Sequence, residues 1–215
     1  NEGGPVIDMG PYYITALVNL LGPAVNVSSR SKKVFNEREI GIGKRKGTKF
    51  SVDCETTYLS TIEFENKSLI QMTLSFDVKD HKRNHIELYG NKGSIIVPDP
   101  NMFGGSVYSC LEAGGKWTEH KTDNLELGKI NIKSQSSRAN ESPTNANYRG
   151  AGLSQMAYSI QNNKLHLCNG ELSLHVLDII RSIMKSAKTG FTEYIKTRCK
   201  KPDPFTQEQI KKLLK

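Results

Sequence analysis

"TTYLSTIEFENKSLIQMTLSFDV", residues 56–78, decides the fold. Leu59, Ile62, Phe64, Ile70, Met72, Leu74 and Phe76 are assigned to one face, and Thr57, Thr61, Glu63, Gln71, Thr73 and Ser75 line the other. Near-alternation in a segment rich in β-branched and aromatic residues is the pattern of half-buried strands. The break at residues 65–67 is too short for a crossover, so the two strands must be antiparallel neighbours.

The same device recurs on the C-terminal side. "HIELYGNKGSIIV" (85–97) turns through Gly90-Asn91-Lys92-Gly93, and "SVYSCLEAGGKWTEHK" (106–121) turns at Gly114-Gly115. Segments 24–34 and 193–197 supply further strands, giving an expected single large, mostly antiparallel sheet of six to nine strands. Helices bracket it. Ile14, Leu17, Val18 and Leu21 follow the spacing of one buried helical face, with Pro11 in the first turn and Gly22-Pro23 at the end. After the polar stretch 134–149, read as a surface loop or strand edge, Leu153, Met156, Ala157 and Ile160 mark a second helix. Leu172, Val176, Ile179, Ile180, Ile183 and Ala187 mark a longer one ended by Gly190, and Thr206 with Gln209 forms a capping box for a terminal helix. Helix, consecutive antiparallel strands, then helices is the order of the α+β class, with helices packed on one face. One domain over residues 1–215 is expected. The Thr-, Ser- and Gln-rich face left open suits either solvent or a sheet-to-sheet homo-oligomer.

Bulk properties narrow the function classes. The 215 residues are 36% hydrophobic and 24% charged, an ordinary globular balance. No apolar run approaches the ~18–20 residues of a membrane span and no basic-then-apolar leader opens the chain, so a soluble, cytoplasmic protein with no membrane partner is expected. Cys54, Cys110, Cys168 and Cys199 form no C-x-x-C pair and read as reduced thiols rather than metal ligands. The net charge of +8 raises nucleic acid as a partner. Its clusters at 30–33, 44–49, 79–83, 196–201 and 211–215 are separate, and no aromatic ladder interleaves them, so no nucleic-acid partner is expected.

"GGPVIDMGPYYITALVNLLG" (3–22) resembles the segment that opens the C-terminal domain of the Gfo/Idh/MocA family, the glucose–fructose oxidoreductase and inositol dehydrogenase group. The family form is Gly-Gly-x-x-x-Asp-x-Gly-x-His running into a helix. Gly3-Gly4, Asp8 and Gly10 match, and Tyr12 stands where many members carry His. "IELYGNKGSIIVPDPNMFGG" (86–105) is similar to the family's strand-turn-strand, and residues 148–190 are similar to its closing helices. The resemblance implies the substrate and oligomerisation half of an NAD(P)-dependent oxidoreductase acting on a sugar, cyclitol or similar polyol. It further implies that NAD or NADP sits on an N-terminal Rossmann domain outside this chain, which alone would be inactive. The glycine-dense "GIGKRKG" (41–47) has no strand-to-helix context and is rejected as a dinucleotide loop. A non-enzymatic dimerisation or ligand-binding module with the same fold is the alternative.

Asp8 and Tyr12 are the candidate catalytic pair. Four apart, they project from one face of its first turn if the helix begins by Asp8. Oxidising a hydroxyl needs a hydride acceptor at carbon and a proton acceptor at oxygen. Asp8 could orient the substrate and Tyr12 could hold or relay the hydroxyl proton; dipole complementation and packing are the simpler roles. Within the family pattern Tyr12 also occurs in the glucose–fructose oxidoreductase and dihydrodiol dehydrogenase branches, whereas Thr15 departs from a common Asp. Tyr148 and Arg149 are candidate substrate-binding residues, although a surface role also accounts for Arg149. Asp77, Asp80, His81 and His85 lie at a strand junction with no helix to align them and are not expected to hold a metal. His175, beside an apolar stripe, reads as a satisfied, partly buried histidine.

Overall fold

The structure, a computed structural model, describes residues 3–132 and 146–214. In chain order the elements are α1 (Pro5–Asp8), α2 (Gly10–Leu21), β1 (Ala24–Lys32), β2 (Glu37–Glu39), β3 (Lys49–Ser51), β4 (Thr57–Phe64), β5 (Leu69–Ser75), β6 (Ile86–Gly90), β7 (Gly93–Val97), β8 (Val107–Cys110), β9 (Thr118–His120), α3 (Ala151–Gln161), α4 (Gly170–Thr189), β10 (Glu193–Tyr194) and α5 (Gln207–Leu213). The chain divides into two units, Asn1–His81 with Asn169–Pro202, and Lys82–Cys168 with Asp203–Lys215. Of the expected polar loop, residues 134–145 lie outside the described residues.

The class is α+β, as the sequence predicts. The one large sheet is corrected: the described strands form sheets of four (β10-β1-β4-β5), two (β2-β3) and four (β6-β7-β8-β9), every recorded pairing antiparallel. After β5 and the Phe76 N–H bond to Thr56 O at 2.9 Å the ladder stops, and backbone amides turn to nearby side chains. Asp77 N–H donates to Ser75 Oγ at 3.0 Å, and His81 N–H donates to Asp80 Oδ1 at 2.8 Å.

In the first unit, α4 packs across β1 with Leu172, Val176, Ile179, Ile180 and Ile183 buried, and α2 adds Ile14, Leu17 and Val18. Asn169 caps α4 by accepting the Leu172 N–H at 3.0 Å, and Gly190 ends it in the left-handed conformation that lacks a Cβ penalty. Each fully buried aliphatic side chain contributes about 1.5–3 kcal/mol. The face assignment at Leu59 is reversed. Strict period two puts Tyr58 and Ser60 inward with Ile62 and Phe64, leaving Leu59 53% exposed. Ser60 is tolerated inside because its hydroxyl bonds Ser29 Oγ at 2.9 Å. Phe76, placed just past the end of β5, is likewise exposed. The expected strand at 193–197 shortens to Glu193–Tyr194, since Asp178 Oδ2 accepts the N–H groups of Lys196 and Thr197 at 2.9 Å each.

In the second unit, β6 to β9 form a meander whose first turn depends on Gly93. Its φ is 139°, and a Cβ there would lie 2.4 Å from the Cys110 carbonyl oxygen. The capping box at Thr206 and Gln209 opens α5 as the sequence predicts. A pocket of about 230 Å³ lies among α3, α5 and residues 166–168, lined by Met156, Leu167, Phe205 and Leu213 with His166. Among the described residues, the buried His166 Nδ1 has no hydrogen-bond partner.

Candidate active site

Gly4 sets the approach to the Asp8 motif. Its φ of 97° belongs to glycine, and a Cβ would meet the Glu55 carbonyl oxygen at 2.8 Å. Pro5 then starts α1, where a missing N–H costs nothing. Asp8 N–H donates to Gly4 O at 3.1 Å and Met9 N–H to Pro5 O at 2.9 Å. Met9 keeps right-handed helical angles, so the path continues into α2, and Tyr12 N–H donates to Met9 O at 3.2 Å. The helical path therefore begins at Pro5, before Asp8, and bends at Met9.

This construction sorts the side chains. Val6, Gly10 and Ile14, spaced by four, face the core, and a Cβ on Gly10 would sit 3.6 Å from Ile180, in ordinary contact. Asp8 and Tyr12, also spaced by four, are both exposed, Tyr12 at 49%. Among the described residues neither side chain has a hydrogen-bond or ion-pair partner. A carboxylate that only accepts and a phenol that both donates and accepts are thus presented together on one side of α1 and α2.

The other two candidates lie in the second unit. The Tyr148 ring packs edge-on against Phe103 with centroids 5.7 Å apart, and its hydroxyl donates to Lys129 O at 2.9 Å. Arg149 is exposed and donates from Nη2 to Asn101 O at 3.4 Å. Tyr148 is therefore committed to holding this segment, while most of the Arg149 guanidinium stays open to solvent.

Asp77 serves structure rather than a metal. One carboxylate oxygen accepts from Thr56 at 2.7 Å and Thr57 at 2.6 Å, and the other pairs with Arg38. Burial alone would raise its pKa; the Thr57, Thr56 and Arg38 contacts outweigh that and hold it below the ordinary carboxylate value. Among the described residues no three possible ligands gather. His175 is fully buried and satisfied. Its partners Asp178 and Thr197 escape a sequence reading, although His and Asp three apart on a helix are a signal that they share a face.

Residues 1–96 match the model of the GFO/IDH/MocA C-terminal domain. No curated protein sequence matches the chain. Levoglucosan dehydrogenase has a similar fold at 16% identity and a TM-score of 0.63, over 89% of this chain and 51% of that chain. So does an oxidoreductase from Agrobacterium radiobacter in complex with NAD+, L-tartaric acid and magnesium, at 13% identity and 0.61, over 88% and 48%. Aldose-aldose oxidoreductase from Caulobacter crescentus complexed with glycerol gives 18% identity and 0.59, over 89% and 48%. At these identities the likeness is one of fold, and the chain spans about half the length of each relative. Residues 1–96, the part that holds the glycine-framed Asp8 motif, are thus similar to a C-terminal domain of the Gfo/Idh/MocA family, and the solved relatives share the fold.

Proposed function

We propose that this chain is the substrate-binding and oligomerisation half of an NAD(P)-dependent oxidoreductase acting on the CH–OH group of a sugar, cyclitol or similar polyol. The observation that carries the reading is the exposed Asp8–Tyr12 pair, built on a core-facing helix and without partners among the described residues. Residues 41–47 turn a two-stranded ribbon instead of joining a strand to a helix, so a pyrophosphate meets no helix N-terminus there. The reading therefore assigns NAD or NADP to an N-terminal Rossmann domain outside this chain, and no turnover to the chain alone.

When bound, the nicotinamide supplies the hydride acceptor. Asp8 accepts a hydrogen bond from the polyol and orients it; Tyr12 receives or relays the hydroxyl proton at its phenolic oxygen. Arg149, exposed in the second unit, enters as a substrate-binding candidate, with Tyr148 holding the segment that carries it. Polyol-dependent reduction of NAD(P) by the natural full-length protein tests the proposal. Asp8→Asn should lower turnover by about 100-fold or more, the range of acid–base and orienting groups, with thermal melting unchanged. Full turnover in Asp8→Asn, or NAD(P) binding by the 215-residue chain alone, overturns it.

A further inference from the structure

Every residue around the cavity between α3 and α5 belongs to the second unit. Its walls are tied together by hydrogen bonds of their own. Gln155 Oε1 accepts the Leu167 N–H at 3.1 Å while Gln155 Nε2 donates to Ser159 Oγ at 2.7 Å, which holds residues 166–168 against α3. Ser154 Oγ donates to Leu213 O at 2.6 Å and joins α3 to the end of α5. At the start of α5, Gln207 Oε1 accepts the Glu126 N–H at 2.8 Å, beside Leu127 in the wall. The cavity is thus preformed, and a ligand need not order it. Ile210 is buried whereas Met156 and Leu214 reach solvent, which gives a ligand its way in.

The chemistry of the cavity is one-sided. Met156, Leu167, Phe205, Ile210 and Leu213 supply apolar surface, and among the described residues no Lys, Arg, Asp or Glu lines it. An ionised ligand would lose its hydration with no opposite charge to meet it. Gln155 already has both ends of its amide bonded. Among the described residues, His166 Nδ1 is the one buried side-chain nitrogen or oxygen of the wall without a partner. Such an atom destabilises the fold until something bonds it. Water suits so apolar a space poorly, because it needs several polar partners. A neutral aromatic ring suits it well: Phe205 offers ring-to-ring contact and Met156 a sulfur–aromatic one. A hydroxyl on that ring both donates and accepts, so it satisfies Nδ1 in either tautomer. An apolar protein cavity of roughly 150 Å³ already takes benzene. At about 230 Å³ this one has room for a ring with a substituent.

We infer that the α3–α5 cavity is a binding site for a small neutral phenol, its ring among Met156, Phe205 and Leu213 and its hydroxyl on His166 Nδ1. The inference is independent of the oxidoreductase reading, whose Asp8–Tyr12 pair belongs to the first unit. NMR titration of the 215-residue chain, methyl-labelled at its five methionines, with p-cresol tests it. The Met156 methyl should shift saturably, and the Met72 methyl, buried in the sheet of the first unit, should not. p-Cresol should bind at least about fivefold more tightly than toluene, the increment of one net hydrogen bond. The charged 4-methylbenzoate should bind at least roughly tenfold more weakly than p-cresol. In His166→Phe the p-cresol preference over toluene should vanish while toluene still moves Met156. No saturable shift at Met156, an equal shift at Met72, no preference for the hydroxyl, tighter binding of 4-methylbenzoate, or a preference that survives His166→Phe overturns the inference. The wild-type comparisons decide it even where His166→Phe fails to fold.

Discussion

Ala24 N–H donates to His175 Nε2 at 3.0 Å, tying the first residue of β1 to the buried face of α4. With Nε2 accepting, the ring proton sits on Nδ1 and is donated to Thr197 Oγ1 at 3.0 Å; Thr197 Oγ1 in turn donates to Asp178 Oδ2 at 3.0 Å. The imidazole is thereby fixed neutral, in one tautomer.

Burial, and next the charge of Arg198, push the His175 pKa down; Asp178 and Thr197 only partly oppose them. The unfolded chain therefore binds more protons once pH falls below about 6.5, the ordinary histidine value. Stability is fully present above that pH and is lost as pH falls toward the depressed folded value. Urea midpoints measured from pH 7.5 to 5.5 should decline for the wild type and much less for His175→Gln. Parallel declines would exclude His175 as the source.

Tyr12 separates a chemical role from a packing role. The residue is 49% exposed, so Tyr12→Phe should change folding stability by no more than about 0.5 kcal/mol. If the phenol handles the hydroxyl proton, turnover of the full-length enzyme should fall by about 10²–10⁴-fold. Tyr12→His should restore part of it with a pH profile moved downward, because an imidazole ordinarily titrates near 6.5 and a phenol near 10. Unaltered turnover in Tyr12→Phe would make the residue structural.

What was legible in the sequence was what rests on local periodicity and on special backbone residues. α2, α4 and the hairpins at 65–67, 90–93 and 114–115 follow from apolar spacing and short polar breaks, with Gly93 and Gly114 at positive φ in the last two turns. What was not legible depends on partners distant in sequence. The phase error at Leu59 arises because Tyr58 and Leu59 are both apolar and only the register against β1 and β5 decides which turns inward. The anchoring of the β2–β3 ribbon depends on Arg38 reaching Asp77, 39 residues away, and the shortened β10 depends on Asp178 taking amides 18 and 19 residues ahead. In the candidate site, Asp8 and Tyr12 were singled out by the resemblance of residues 3–22 to the family motif, and their four-residue spacing accounts for their sharing one exposed side.

Gly4 tests whether the motif is held by backbone contact. Gly4→Ala must place a Cβ 2.8 Å from the Glu55 carbonyl oxygen at a φ of 97°, and neither backbone can yield cheaply. The left-handed conformation alone costs roughly 1–2 kcal/mol for a non-glycine residue. The variant should lose at least that much by denaturant titration and displace Asp8, four residues on. Gly3→Ala, with open space around its Cβ, should be nearly silent. Equal behaviour of the two variants would show that the glycine pair is not a backbone device.

The open face of the four-stranded sheet carries Leu59 at 53%, Leu69 at 70% and Tyr194 at 74% exposure among Asn26, Ser28, Thr61, Gln71 and Thr73. Four strands ~4.8 Å apart, seven to nine residues long except for the two-residue β10, cover roughly 500 Å² per copy. Two such faces bury about 1,000 Å², the lower limit for a specific interface, and polar side chains on both sides weaken it further. A homodimer through this face should therefore be reversible, with a dissociation constant in the micromolar range. Sedimentation velocity across ~1–100 µM should show the shift, and Leu59→Lys combined with Thr61→Lys should abolish it, since like charges then meet across the two sheets. Both positions point away from the core, so the double variant should melt as the wild-type monomer does. A wild-type chain that stays monomeric throughout that range would leave the open face to solvent alone.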